Sequence, residues 1–151
     1  MKSEHVETSY SNSEEKTIKI GKTLGQRLQP PQIVLLYGEL GSGKTALTRG
    51  LAEGAGVIDS TLVHSPSFTL VNEYPTKNSL FYHIDLYRLE NQRDLDSIGL
   101  EEILSSHSII IVEWAEKLSS QPSNALTVNI SVDLDTQARC FDIRRPDPSV
   151  E

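Results

Sequence analysis

Residues 38–45 read Gly38-Glu39-Leu40-Gly41-Ser42-Gly43-Lys44-Thr45, a match to G-x4-G-K-[ST]. Each part of the motif has a chemical task. Gly38, Gly41 and Gly43 let the backbone curl until successive N–H groups point inward as a nest for an anion. The nest should open on the N-terminus of a helix beginning at Lys44, whose dipole favours phosphate. Lys44 then reaches β- and γ-phosphates, and the Thr45 hydroxyl takes one Mg²⁺ position. The nucleotide-binding set is therefore Gly38, Glu39, Leu40, Gly41, Ser42, Gly43, Lys44, Thr45 and Ala46. The plain alternative is a glycine-rich turn between a strand and a helix. With glycine at ~7% of residues, a chance match in a chain of this length is on the order of one in a few hundred. The phosphate loop is the better reading.

Three further stretches place reactive groups together: SPSFTLVNEY at 65–74, HIDLYR at 83–88 and IIIVEWAE at 109–116. Glu113 ends an apolar run, at the carboxyl end of a buried strand where open α/β sheets place their ligands. Its bland reading is a strand-end carboxylate in solvent. His83, Asp85 and Tyr87 follow period-two spacing and should share one strand face. Asp85 is the candidate for ordering an attacking or metal-bound water, whereas His83 could equally be a satisfied structural histidine. Ser65-Pro66-Ser67 falls where P-loop enzymes keep a nucleotide-sensing switch, since a hydroxyl there can meet Mg²⁺ and a γ-phosphate. An ordinary turn around Pro66 would look the same. Trp114 is either core or a wall against water.

These residues need elements to hold them. A helix can start near Ser13, with Glu14 and Glu15 at its positive end and Ile20, Leu24 and Leu28 on one stripe, stopped by Pro30 and Pro31. Ile33 to Tyr37 reads as a strand buried on both faces. Leu47 and Leu51 then mark a helix closed by Gly54 and Gly56. Phe68–Tyr74 and Leu80–Leu89 read as a hairpin across a five-residue loop PTKNS, and Leu95 to Leu104 as a short helix. Ser108 to Val112 is a second buried strand. Leu126 to Leu134 alternates with one face wet, and residues 137–144 should pair with it. The order implies an α/β layer fold with a mixed parallel and antiparallel sheet, flanking helices and an inserted β-hairpin. Residues 13–145 are expected to form a single domain, between a loose stretch at 1–12 and a loose acidic tail at 146–151.

Composition bounds the setting. The 151 residues are 37% hydrophobic and 23% charged, ordinary for a globular chain. No apolar run approaches a membrane span, and residues 1–16 lack the apolar core of a signal peptide. One cysteine, Cys140, fits a reducing, cytoplasmic setting. A net charge of −7 argues against gripping DNA or RNA by phosphates, so any RNA role should run through a protein partner.

The P-loop with these three motifs, in this order and in a chain this short, resembles the TsaE family of bacterial ATPases, formerly the YjeE group. The resemblance covers roughly residues 13–117 and implies a P-loop NTPase fold. It implies that ATP and Mg²⁺ are bound and that ATP is hydrolysed slowly. It also implies a part in threonylcarbamoylation of adenosine at position 37 of tRNAs reading codons that begin with A. The implied partner is the TsaD–TsaB pair, which performs the transfer and is reset by hydrolysis; tRNA would be engaged indirectly. In that pattern Glu113 resembles the Walker-B acid, a metal ligand alongside Thr45. Ser67 stands where the family often has threonine, and Asp85, Glu113 and Ser67 form the catalytic set. Thr17 aligns with a threonine near the expected adenine. The family commonly ends with a basic residue and a glycine-containing strand near the nucleotide. This chain has no glycine after Gly99, which leaves nucleotide contacts from Arg139 or Arg144 in doubt.

Rival readings fare less well. A GTPase needs N-K-x-D after a buried strand, and Asn91-Gln92-Arg93-Asp94 fails in residue and context. A small-molecule kinase would carry an arginine-rich lid between residues 45 and 113, and an ABC ATPase would carry LSGGQ; neither occurs. An assembly module in which ATP acts as glue and turnover is incidental uses the same residues, and it stays open.

Overall fold

Ile33 to Leu36 are apolar without alternation, and such a run is stable only where both faces are covered. The computed structural model, which describes residues 5–39, 41–66 and 70–146, puts that run at the centre of a sheet. Strand β2 (Gln32–Gly38) pairs in parallel with β5 (Ile109–Glu113) on one side and β6 (Leu126–Val132) on the other. β4 (Leu80–Asp85) extends the parallel set beyond β5. Antiparallel strands finish both ends: β3 (Val71–Pro75) beside β4, β7 (Arg139–Arg145) beside β6, and β1 (His5–Ser11) beside β7. The seven strands run in the order β1-β7-β6-β2-β5-β4-β3. This is the expected mixed α/β sheet with its β3–β4 hairpin.

Two apolar layers cover it. On one face Val34, Leu36, Phe81, Ile109 and Ile111 pack against Leu24 of α1 (Glu14–Gly25) and Leu47 and Leu51 of α2 (Lys44–Ala55). On the other, Ile33, Leu35, Ile84, Ile110 and Val112 meet Leu95 of α3 (Gln92–Ser97) and Leu100 of α4 (Leu100–Leu104). Among the described residues no helix is long and apolar enough to cross a membrane.

Several boundaries differ from the sequence expectation, among them the end of β6 at Val132 rather than Leu134. The loose stretch expected over 1–12 is a strand from His5 to Ser11, zipped onto β7 from His5↔Arg145 to Ser11↔Arg139. Its composition is polar because it is an edge strand; its order comes from a backbone ladder whose partner is the far end of the chain. The first helix ends at Gly25, capped through Gln26, well before Pro30. The strand expected to reach Leu89 ends at Asp85, where the Asp85 carboxylate accepts from the Tyr87 backbone N–H at 3.0 Å and turns the chain. The single helix expected over Leu95–Leu104 breaks at Gly99, which takes φ 70°. Residues 68–69 of the expected hairpin strand and 147–151 of the expected tail lie outside the described residues.

The helices α1 and α2 touch backbone to backbone. A Cβ added at Gly50 would stand 2.1 Å from the Ile18 carbonyl oxygen, and one at Gly54 2.1 Å from that of Lys22. From the other side, a Cβ at Gly21 would meet the Leu47 carbonyl oxygen at 2.5 Å and one at Gly25 that of Leu51 at 2.4 Å. Gly54, expected to help end the second helix, instead makes this seam; the end is Gly56, at φ 93°. The contacts run in register along both helices, so the start of α1 lies beside the start of α2.

Alanine normally favours a helix over glycine by about 1 kcal/mol. Here the clash is with a backbone carbonyl that cannot rotate away, and overpacking of that kind costs about 1–3 kcal/mol or more. Gly50→Ala and Gly54→Ala are therefore expected to lower the thermal midpoint by roughly 3–8 °C. A rise, measured by calorimetry, would show that the seam is loose.

Candidate functional site

β2 delivers the chain to Gly38, and the loop turns at once. Ser42 N–H donates to the Glu39 carbonyl at 3.0 Å, and Gly41 and Gly43 take φ 81° and 107°, left-handed values that side chains resist. A Cβ on Gly38 would lie 2.7 Å from Ser42 Oγ. Leu47 N–H donates to the Gly43 carbonyl at 2.9 Å, so α2 starts at Lys44 as the motif requires. Ser42 is buried and its Oγ has no partner among the described residues. Leu40 lies outside the described residues.

Lys44 folds back over its own loop. Its ammonium donates to the Gly38 carbonyl and, at 3.0 Å, to that of Glu39, and lies 4.2 Å from the centroid of a Trp114 ring. Burial lowers its pKa from the ordinary lysine value, and nearby acids, Glu113 foremost, oppose that shift. Trp114 itself takes φ 59°, a left-handed value that is costly for so large a residue and that recurs at functional sites.

The carboxylates come from adjacent strands. β4 and β5 are in register with Asp85 opposite Glu113, so both stand at the carboxyl ends of a parallel pair. Glu113 is buried and its Oε2 meets His83 Nε2; His83 is fully buried. Asp85 is half-exposed, its Oδ2 accepting from Ser65 Oγ at 2.6 Å and its Oδ1 from Tyr87 N–H. Ser65 and Asp85 thus tie the loop after α2 to the acid, while Ser67 lies outside the described residues. Tyr87 does not share the strand face with His83 and Asp85. It stands beyond the strand end, exposed, with its ring centroid 5.0 Å from that of Trp114.

Two further walls close the cleft. Asn12, Ser13, Glu14 and Thr17 come from the start of α1, brought there by the glycine seam. Ser13 caps the helix by accepting from Lys16 N–H at 3.1 Å. Thr17 lines the cleft, but its hydroxyl is engaged with Ser11 Oγ at 2.8 Å and the Ser13 carbonyl at 3.1 Å. Arg139 arrives from the first position of β7 and donates to the Gly41 carbonyl at 3.1 Å. Nothing in the local sequence marks it: only the strand order puts β7 on the P-loop side of the sheet. Arg144, at the other end of β7, is not among the residues lining the cleft. The space enclosed is about 580 Å³, within the range of small-molecule sites. Thr45, Ala46, Pro66 and Arg88 also border it.

With its ammonium removed, Lys44→Ala should bind pyrophosphate or a nucleoside triphosphate about 10–100-fold more weakly, the worth of one charged hydrogen-bonding group. Calorimetric affinities equal to the parent would reject the loop as a phosphate site.

Comparison with known proteins agrees with this geometry. A family model described as threonylcarbamoyl adenosine biosynthesis protein TsaE matches residues 11–141. The tRNA threonylcarbamoyladenosine biosynthesis protein TsaE of Nostoc sp. is 40% identical over 120 residues, 76% of this chain and 71% of that one. The protein of the same name from Rickettsia felis is 42% identical over 106 residues, 70% of this chain and 60% of that one. The crystal structure of Bacillus subtilis YdiB superposes with a TM-score of 0.78 at 28% identity, covering 96% of this chain and 88% of that one. The motif order, the sheet and these matches agree, and the chain belongs to the TsaE family of threonylcarbamoyl adenosine biosynthesis proteins.

Proposed function

We propose that this protein is a Mg²⁺-dependent ATPase that acts with the TsaD–TsaB pair in forming threonylcarbamoyladenosine at position 37 of tRNAs, and that hydrolysis resets the pair between turnovers. The observation that carries the reading is the meeting, in one cleft, of the phosphate loop with the carboxylates of Asp85 and Glu113. The residues suit the groups they would hold. Gly41 and Gly43 give the loop the curl of an anion nest, and Ser42 keeps a buried hydroxyl without a partner among the described residues. Thr45, Asp85 and Glu113 offer hard oxygen donors among the residues that line the cleft. Among the described residues no group of three or more His, Cys, Asp or Glu is placed to hold a metal ion. Magnesium would then take the rest of its shell from water and phosphate oxygens, as it commonly does.

Bound Mg·ATP supplies the phosphoryl group and a cation to neutralise the charge that develops on it. The protein does the positioning. The nest N–H groups and Lys44 hold the phosphates, with Lys44 exchanging the Gly38 and Glu39 carbonyls for phosphate oxygens. Thr45 and Glu113 hold the metal. Asp85 orients water: each of its oxygens has one described partner, and an ionised carboxylate accepts about four hydrogen bonds, so capacity remains toward the cleft. Ser65 couples that acid to the loop carrying Ser67, which would read the γ-phosphate. Thr17, with its hydroxyl already engaged, would border the adenine by shape. Arg139 braces the loop through the Gly41 carbonyl. The acidic balance of the chain leaves tRNA to the partners, and a cytoplasmic setting is part of the same reading.

Two variants test it. Glu113→Gln should lower Mg²⁺-dependent hydrolysis while sparing metal-free nucleotide binding, and activity within about twofold of the parent, a barrier change below ~0.5 kcal/mol, removes Glu113 as the metal acid. Asp85→Asn should still bind ATP and co-elute with the partner pair, yet hydrolyse on the order of 10²-fold more slowly. In a modification assay it should support about one round per complex. Sustained multiple turnover by that variant would reject the reset and favour ATP as an assembly glue.

A further inference from the structure

His83 points from β4 into the same face as Phe81, Ile109 and Ile111, an apolar layer beneath α2. Its side chain is fully buried, with Nε2 on Glu113 Oε2 and Nδ1 without a partner among the described residues. A carboxylate oxygen accepts, so Nε2 carries the hydrogen of this bond. A buried polar atom left unsatisfied costs stability, and an apolar side chain in this row would have avoided the cost. What the imidazole provides in return is one hydrogen bond, directed at a carboxylate that borders the cleft.

An unrestrained glutamate at a strand end has several rotamers, and each is open when no partner selects among them. Here one oxygen is held from below. We propose that His83 is a positioning residue, whose Nε2–H fixes Oε2 of Glu113 and so aims the carboxylate at the metal position of the cleft. The inference rests on the proposed metal role of Glu113. It requires no proton transfer by His83, only a donor at that point. Histidines and carboxylates around metal ligands are oriented by partners of this kind, and losing the partner typically costs about 10–100-fold in metal affinity.

The test uses the full chain with a non-hydrolysable ATP analogue. Mn²⁺ affinity of the complex is read by electron paramagnetic resonance, analogue affinity is measured in EDTA, and folding is followed by thermal midpoint. His83→Leu should bind Mn²⁺ about 10-fold or more weakly, with analogue affinity in EDTA within about twofold of the parent. His83→Gln, whose amide N–H reaches as Nε2 does, should stay within about threefold of the parent. Equal Mn²⁺ losses in the two variants, or none in His83→Leu, overturn the positioning role. If His83→Leu does not fold, the comparison runs between His83→Gln and His83→Asn, whose shorter amide sits where Nδ1 does. The same gap of about 10-fold is then expected, and its absence overturns the inference. Glu113→Gln separates the two levels. Unchanged Mn²⁺ affinity there rejects the metal reading and the positioning with it, whereas a loss there with none in His83→Leu rejects the positioning alone.

Discussion

The parallel register of β2, β5 and β4 is the constraint on which the site depends. Leu36 lies opposite Glu113, and Glu113 opposite Asp85, so three neighbouring strands end in one row. Parallel pairing aligns the carboxyl ends of strands, and the connections must leave the sheet on that side. The phosphate loop leaves β2 two residues beyond Leu36, above the same edge. A slip of one residue in β4 would turn Asp85 and His83 to the opposite face, among Ile110 and Val112. Burial on both faces is what forbids the slip: Phe81 and Ile84 are both fully buried, on opposite layers.

That row concentrates charge in a partly buried place. Glu113 and Lys44 are among the buried charged residues, and Asp85 and Glu116 add to the acid around Lys44. Burial lowers the Lys44 pKa from the ordinary lysine value, and the surrounding acids oppose that shift. The backbone carries the rest of the load: Lys44 and Arg139 each donate to carbonyls of the loop, and Asp85 accepts from a serine hydroxyl and a backbone N–H. Lys44, Arg139 and Asp85 therefore each have polar contacts within the cleft. The Trp114 ring beside Lys44 narrows the space available to water.

The glycine seam has a different effect, on shape. By letting α1 lie on α2 at backbone distance, it lays the start of α1 against the phosphate loop, where Gly43 faces the Thr17 methyl group. Bulkier residues would hold the helices ~8–10 Å apart, and the cleft would lose one wall. β1 completes the arrangement: Ser11, the last residue of that strand, is buried and its hydroxyl is within 2.8 Å of that of Thr17.

The glycine-rich turn ahead of a helix, the buried strands β2 and β5, and an acid at the end of β5 were legible in the sequence because each rests on a local pattern. A glycine spacing, an apolar run and a strand-end carboxylate keep their meaning wherever the segment is placed. The mixed sheet followed from the order of such segments, and the family from the order of the motifs. What depends on partners far along the chain was not legible. The polar run His5–Ser11 became a strand only because β7 offered it a ladder, and Arg139 joined the cleft only because β7 lies two strands from β2. The seam of Gly21, Gly25, Gly50 and Gly54 has no meaning until two helices meet, and Tyr87 left the shared face because a turn at Asp85 ended the strand. His83 could be either a structural residue or part of a site until its ring nitrogen was seen on Glu113. Local sequence determined which groups could do chemistry, since residue type and short spacing carry that information. Only the tertiary structure decided which of them meet, because hydrogen bonds, close packing and burial are set by segments far apart in the chain.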